Sequence, residues 1–136
     1  MDPKKNYLLD TSAFLALRSN EAGADEVEKL LRQAETGAAF LLASFMTRME
    51  LLYVIGREEG QEAARQALRL IDAFSLEWVS CEPEILEAAA RLKTEGGLSV
   101  ADSWIGATAM IRNAILVHKD PEFSKFQEIP QRLLRS

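Results

Sequence analysis

A chain of 136 residues has the size of one domain, and 48% hydrophobic with 27% charged residues is the balance of an ordinary globular protein, not of a disordered tail, a collagen-like repeat or a low-complexity linker. One cysteine, Cys81, and one histidine, His118, exclude an internal disulfide and a structural zinc site built from four such ligands. The net charge of −5, from 16 basic and 21 acidic residues, is opposite to that of a protein coating phosphate backbones, so any nucleic-acid chemistry must be local.

The charge is uneven: residues 1–98 hold 11 basic against 17 acidic residues, and residues 99–136 hold 5 against 4. No run of 18 apolar residues exists to span a membrane. The opening Met1-Asp2-Pro3-Lys4-Lys5 leads into an apolar run that Asp10 interrupts, unlike a secretory leader, so a cytoplasmic protein is expected.

In chain order, four apolar runs have strand length: Tyr7-Leu8-Leu9, Ala39 to Ala43, Leu76 to Val79, and Ala114 to Val117. Between them, helical spacing appears at Val27, Leu30, Leu31 and Ala34, at Ala63, Ala67, Leu70, Ile71 and Phe74, and at Ile85, Ala88, Ala89 and Leu92. Gly96-Gly97 closes one helix and Ser99 caps the next. Ile129-Pro130-Gln131 supplies a short edge strand. Strands alternating with helices predict a single α/β domain over residues 1–136, with a four- or five-stranded parallel sheet and helices on both faces.

In such sheets ligands sit beyond the carboxyl ends of the strands. The first strand is followed by Asp10-Thr11-Ser12, and the second by Ser44, which opens a helix carrying Glu50. The fourth is followed by His118-Lys119-Asp120, and Asp102 lies in the first turn of the preceding helix. Four acids therefore converge on one edge.

Each acid also has a plainer use. Asp10 fits an N-cap, and Ser99-Val100-Ala101-Asp102 fits a capping box. Glu50, on a nearly all-apolar helix, is buried with a partner such as Arg48 or reaches out at an edge. Asp120-Pro121 fits a turn, and Glu122 a solvated loop acid. His118 reads as a packed or hydrogen-bonded strand end; Trp78 and Trp104 read as core. Arg57, Arg65 and Arg69 read as partners of Glu58, Glu59 and Glu62 on helix surfaces. Two other acid-based sites fit poorly: an aspartyl phosphatase wants Asp where Ser12 stands, and a receiver domain wants a phosphoacceptor Asp where the third strand ends in Ser80-Cys81.

Two carboxylates about 4 Å apart repel by about 4 kcal/mol at an effective dielectric of 20, so three or four in one pocket need a cation. Hard oxygen ligands select Mg2+ or Mn2+, and such a site suits phosphodiester hydrolysis. Thr11 and Ser12 would orient carboxylates or water from behind the ligands.

Four blocks carry a family resemblance: Leu8-Leu9-Asp10-Thr11-Ser12-Ala13, Ser44 to Leu51 around Glu50, Leu98 to Ala109 around Asp102, and Ile115 to Phe123 around Asp120. Together, in this order and across nearly the whole chain, they resemble the PIN-domain nucleases, in particular VapC-type toxins of toxin–antitoxin pairs. The resemblance implies an Mg2+- or Mn2+-dependent endoribonuclease acting on RNA, with a cognate antitoxin and a homodimer. By it Asp10, Glu50, Asp102 and Asp120 are the metal-site acids and Ser12 the supporting hydroxyl. His118 departs from the Thr or Ser usual there, and Glu122 is placed to share the role of Asp120. The other readings are a PIN-type ribonuclease of RNA maturation without an antitoxin, and a nonenzymatic interaction domain of the same fold. Phe14, Leu15, Leu17 and Tyr53 exceed what the local core needs and suggest a patch for a second copy or an antitoxin segment.

Overall fold

The computed structural model describes residues 4–135. Five strands form one sheet: β1 (Lys5–Leu9), β2 (Ala39–Ser44), β3 (Glu77–Val79), β4 (Ile115–His118) and β5 (Gln131–Leu133), in the order β3-β2-β1-β4-β5 with every pair parallel. Six helices connect them: α1 (Thr11–Arg18), α2 (Ala24–Glu35), α3 (Phe45–Glu59), α4 (Gln61–Asp72), α5 (Pro83–Glu95) and α6 (Val100–Ile111). The α/β class, the five-stranded parallel sheet and the helices on both faces all agree with the sequence reading.

The apolar runs form strands because both faces of the sheet are covered. Along β1, Tyr7 and Leu9 face one core with α1 to α4, while Leu8 faces another with α5 and α6. Leu8, Leu9, Leu116 and Val117 are fully buried, and truncating either central leucine, Leu8 or Leu116, to alanine costs about 3 kcal/mol. The register pairs Tyr7 with Leu41 and with Ile115, so β1, the first strand in sequence, becomes the middle of the sheet.

Helix ends follow the local chemistry. Asp10, Ser44 and Ser99 cap α1, α3 and α6 with their side chains, and Pro83 opens α5. At Gly23, φ of +94° brings the backbone against Leu134, and an added Cβ would stand 2.9 Å from that side chain's own Cβ. This close approach seats the stretch after β5 beside the start of α2.

Candidate active site

The carboxyl ends of β1, β2 and β4 deliver three of the four acids, and the first turn of α6 brings the fourth. Asp10 follows β1 in extended conformation, and its N–H donates to Val117 O of β4 at 3.0 Å. Its carboxylate accepts from Ser12 N at 3.2 Å and from the Ser12 hydroxyl. Ser12 Oγ in turn accepts from Lys119 N at 3.0 Å, so one hydroxyl locks the loop after β4 to the start of α1. Asp10 is only 4% exposed. Burial pushes its pKa up to about 6; the bonds from Ser12 oppose this, and the charge of Glu50 adds to it.

Glu50 does not pair with Arg48. Arg48 makes a bidentate bridge to Asp72 at 2.8 and 2.9 Å, with its guanidinium 5.0 Å from the Trp78 ring centre. The Trp78 indole N–H also donates to Asp72 at 2.9 Å, so half-buried Trp78 packs against the core with its ring and joins this surface cluster with its N–H. Glu50 instead accepts from Thr11 Oγ1 at 2.7 Å, and Thr47 Oγ1 lies 3.1 Å from the same hydroxyl. Thr11 thus fixes the Glu50 carboxylate from α1. Thr47, one turn before Glu50 and fully buried, had no signal beyond its spacing on the helix.

Asp102 forms half of a capping box: its N–H donates to Ser99 Oγ at 3.1 Å. Its pKa is pushed up to about 7, first by burial and then by the charges of Asp10, Asp120 and Glu50, against a small opposing effect of the Ser99 hydroxyl. The three carboxylates that act on Asp102 come from three other elements. The cap and the cluster therefore coexist in one side chain.

Asp120 is set by a buried network. Its N–H donates to His118 Nδ1 at 3.1 Å, and its carboxylate accepts from Glu122 N at 2.9 Å. His118, fully buried, places Nε2 2.9 Å from Gln131 Oε1 and packs edge-on to Phe123. The Gln131 amide faces the carbonyls of Phe123, Phe126 and Ile129 at 2.8, 3.1 and 3.3 Å. An acceptor at Nδ1 and a donor at Nε2 make the imidazole neutral. Burial likewise holds its pKa below the ordinary value. Gln131 escaped the sequence reading because one glutamine in a three-residue edge strand carries no pattern. Glu122 is drawn aside: it is exposed and pairs with Lys125 at 3.1 Å.

Among the described residues, no three His, Cys, Asp or Glu side chains stand close enough to enclose a metal ion. The acids meet as a repelling group around Asp102, and their all-oxygen donor set suits Mg2+ or Mn2+ over zinc. Elsewhere, Arg69 pairs with Glu62 at 3.0 Å as expected, whereas Arg57 lies over the ring of Tyr53 at 5.1 Å.

The family model of the PIN domain matches residues 7–129, which contain all four acids and all the strands but β5 and the first two residues of β1. No curated protein is significantly similar to the chain in sequence. Among solved structures, VapBC2 from Rickettsia felis, bound to a DNA fragment from its promoter, has a similar chain with a TM-score of 0.75 and 20% identity, covering 95% of this chain and 98% of that one. VapBC-1 from nontypeable Haemophilus influenzae is similar at 0.73 and 21%, covering 94% and 97%. VapC20 from Mycobacterium tuberculosis, a sarcin–ricin loop cleaving toxin, is similar at 0.70 and 17%, covering 89% and 95%. At these identities the likeness is one of fold. The matched span and the sheet agree, and the chain belongs to the PIN-domain family.

Proposed function

We propose that this chain is an Mg2+- or Mn2+-dependent endoribonuclease that hydrolyses RNA phosphodiester bonds as a single domain over residues 1–136, and that it is the toxin of an antitoxin pair. The observation that carries the reading is the placement of Asp10, Glu50, Asp102 and Asp120 at one edge of a PIN-family sheet, at the starts of α1, α6 and the turn after β4 and on α3. A carboxyl group held near pH 7 by burial and three like charges is a poor structural element and a good cation ligand.

Asp10, Glu50, Asp102 and Asp120, which among the described residues do not close into an enclosing cage, would hold the ion through one or two carboxylates directly and the others through its waters, and the ion would supply Lewis-acid charge toward a phosphate. The chain's own residues do the rest. Ser12 and Thr11 fix the carboxylates of Asp10 and Glu50 in one orientation each. His118 presents the backbone of Asp120 without adding a charge of its own. Asp102, whose proton affinity is raised by burial and by its acidic neighbours, would be favoured in its ionised form by a bound cation.

For the antitoxin, support comes from a groove of about 280 Å³ between α1, α3 and α4, lined by Phe14, Leu17, Leu51, Ile55, Leu70 and Phe74. Leu70 is 65% exposed at its rim, and Tyr53, 54% exposed, stands on α3. Of the patch expected from the sequence, Tyr53 is exposed, Leu15 and Leu17 are half-buried, and Phe14 is buried at the floor of the groove. An amphipathic segment would cover these side chains, and a second copy would use such a surface in a homodimer. A strictly monomeric mass by light scattering would remove the homodimer from the proposal.

The deciding test is RNA cleavage by the pure protein with Mg2+ or Mn2+ and with chelator. Cleavage should require the cation and vanish in Asp10→Asn and Asp102→Asn variants that retain the parent fold. Undiminished cleavage by either variant overturns the assignment.

A further inference from the structure

The acidic end poses an electrostatic problem that the rest of the molecule must answer. A chain of net charge −5 with clustered carboxylates repels a phosphate backbone over roughly the 8 Å Debye length of physiological salt. If RNA is the substrate, cations within reach of the cluster must offset that repulsion.

A cleft of about 620 Å³ lies at the β5 edge of the sheet, between α2 and β5. Lys29, Arg132 and Arg135 line it, with Glu26 as its one acid. None of these three cations makes an ion pair among the described residues. Arg132 lies over Tyr7 with its guanidinium 5.3 Å from the ring centre, which holds the fork in place without neutralising it. A second cleft of about 560 Å³, lined by Asn6, Phe40 and Glu77, behaves differently: its Arg112 is tied to Glu77 at 2.9 Å. The smaller groove against α4 is apolar apart from Arg18, which Glu59 neutralises at 3.0 Å.

Register places the cationic cleft beside the acids. Arg132 pairs with Val117, and Val117 pairs with Leu9, the residue before Asp10. Two strand spacings, about 10 Å, separate the Arg132 backbone from the end of β1. Beyond β5, Leu134 N donates to His118 O at 2.7 Å, so the next residue, Arg135, brings the cationic lining to the carboxyl end of β4, which Asp120 follows. A protein segment would need apolar anchors, and this cleft offers one exposed apolar rim residue, Leu133, against three free cations.

We propose that the cleft between α2 and β5 seats the phosphate backbone of single-stranded RNA next to the acid cluster, with Lys29, Arg132 and Arg135 as its contacts. The inference rests on the ribonuclease reading and names where its substrate lies. Arginine forks bind phosphate oxygens in pairs, and Lys29 adds a point charge from α2.

The test measures anisotropy of a labelled single-stranded RNA oligonucleotide with the full chain in chelator, across a salt series. The triple variant Lys29→Ala, Arg132→Gln, Arg135→Gln should bind at least about tenfold more weakly at low salt. Its slope of log affinity against log salt should flatten by about 2, at about 0.7 per lost phosphate contact. Arg132→Lys alone should weaken binding less than Arg132→Gln alone, since it keeps the charge and loses only the fork. Metal-dependent hydrolysis of a small chromogenic phosphodiester, too short to reach the cleft, should be unchanged in the triple variant. Unaltered RNA affinity and salt slope in a folded triple variant overturn the proposal. A parent that binds RNA through these cations but cleaves neither substrate leaves the cleft assigned and removes the ribonuclease reading instead.

Discussion

Asp10 and Asp102 open two helices on the same edge of the sheet, and both carboxyls are pushed upward, to about 6 and about 7. The causes differ. Asp10 is buried more deeply, yet Ser12 gives it two hydrogen bonds and Lys119 N secures Ser12 in turn. Asp102 is less buried, takes little from Ser99 and feels three other acids. Hydrogen bonds thus recover part of what burial costs at Asp10, whereas Asp102 stands in the repulsion of its neighbours. Burial is the largest cause at both, and at the more accessible Asp102 the charges of three neighbours add to it where hydrogen bonds oppose it at Asp10.

The largest expected effect treats the two alike. Asp10→Asn and Asp102→Asn should each lower divalent-dependent RNA cleavage at least about a hundredfold, as loss of a preorganised charge does. A variant that keeps its rate removes that acid from the group. Next, Ser12→Ala and Thr11→Val should lower cleavage by about 10–100-fold while Ser99→Ala changes it far less, because the first two hydroxyls donate directly to carboxylates of the group, whereas Ser99 chiefly accepts from the Asp102 N–H. Equal losses at all three positions would erase the distinction drawn between the two helix openings.

Stability separates them further. In chelator at neutral pH, Asp102→Asn should stabilise the protein by about 1–2 kcal/mol after solvent screening, and Asp10→Asn by less, since Asp10 already has its hydrogen bonds. The sign for Asp102 follows from linkage. Its folded pKa lies above the ordinary 3.8, so the folded chain binds the proton more tightly than the unfolded one. That contribution is complete below about pH 4 and is lost as pH rises toward 7. Thermal unfolding without metal should therefore show the parent losing stability over that window relative to Asp102→Asn. An Asp102→Asn variant less stable than its parent would mark the residue as a cap alone. The smallest effect belongs to Ser99→Ala, about 1 kcal/mol of stability from the lost cap, read from denaturant unfolding.

Much of this arrangement was legible in the residues. Strand-length apolar runs reported β1, β2 and β4 because sheets covered on both faces need them, and cap residues marked α1, α3 and α6. The four acids were legible from their places, three beyond the carboxyl ends of strands and Asp102 in the first turn of α6. Pairing over long separations stayed hidden. Arg48 is nearer to Glu50 in sequence than to Asp72, yet helix direction turns it toward α4 and the Trp78 ring. The contact of Thr11 with Glu50 spans 39 positions and depends on how α1 crosses α3. Gln131, which joins His118 to three carbonyls, acts through geometry alone.

The strand order carries a consequence for biosynthesis. The ribosome makes β1 before the other strands, but β1 gains its β4 neighbour only after residue 115 has emerged, and Asp120 comes five positions later. The Asp10 N–H donates to Val117 O, and the Ser12 hydroxyl accepts from Lys119 N. A nascent chain that has exposed only its first hundred residues holds Asp10 and Glu50 with neither Asp102 nor Asp120. Long-range parallel pairing is slow to close and comes late. In a protein of this topology the four acids therefore first reach one edge of the sheet when β4 and the turn beyond it are free of the ribosome.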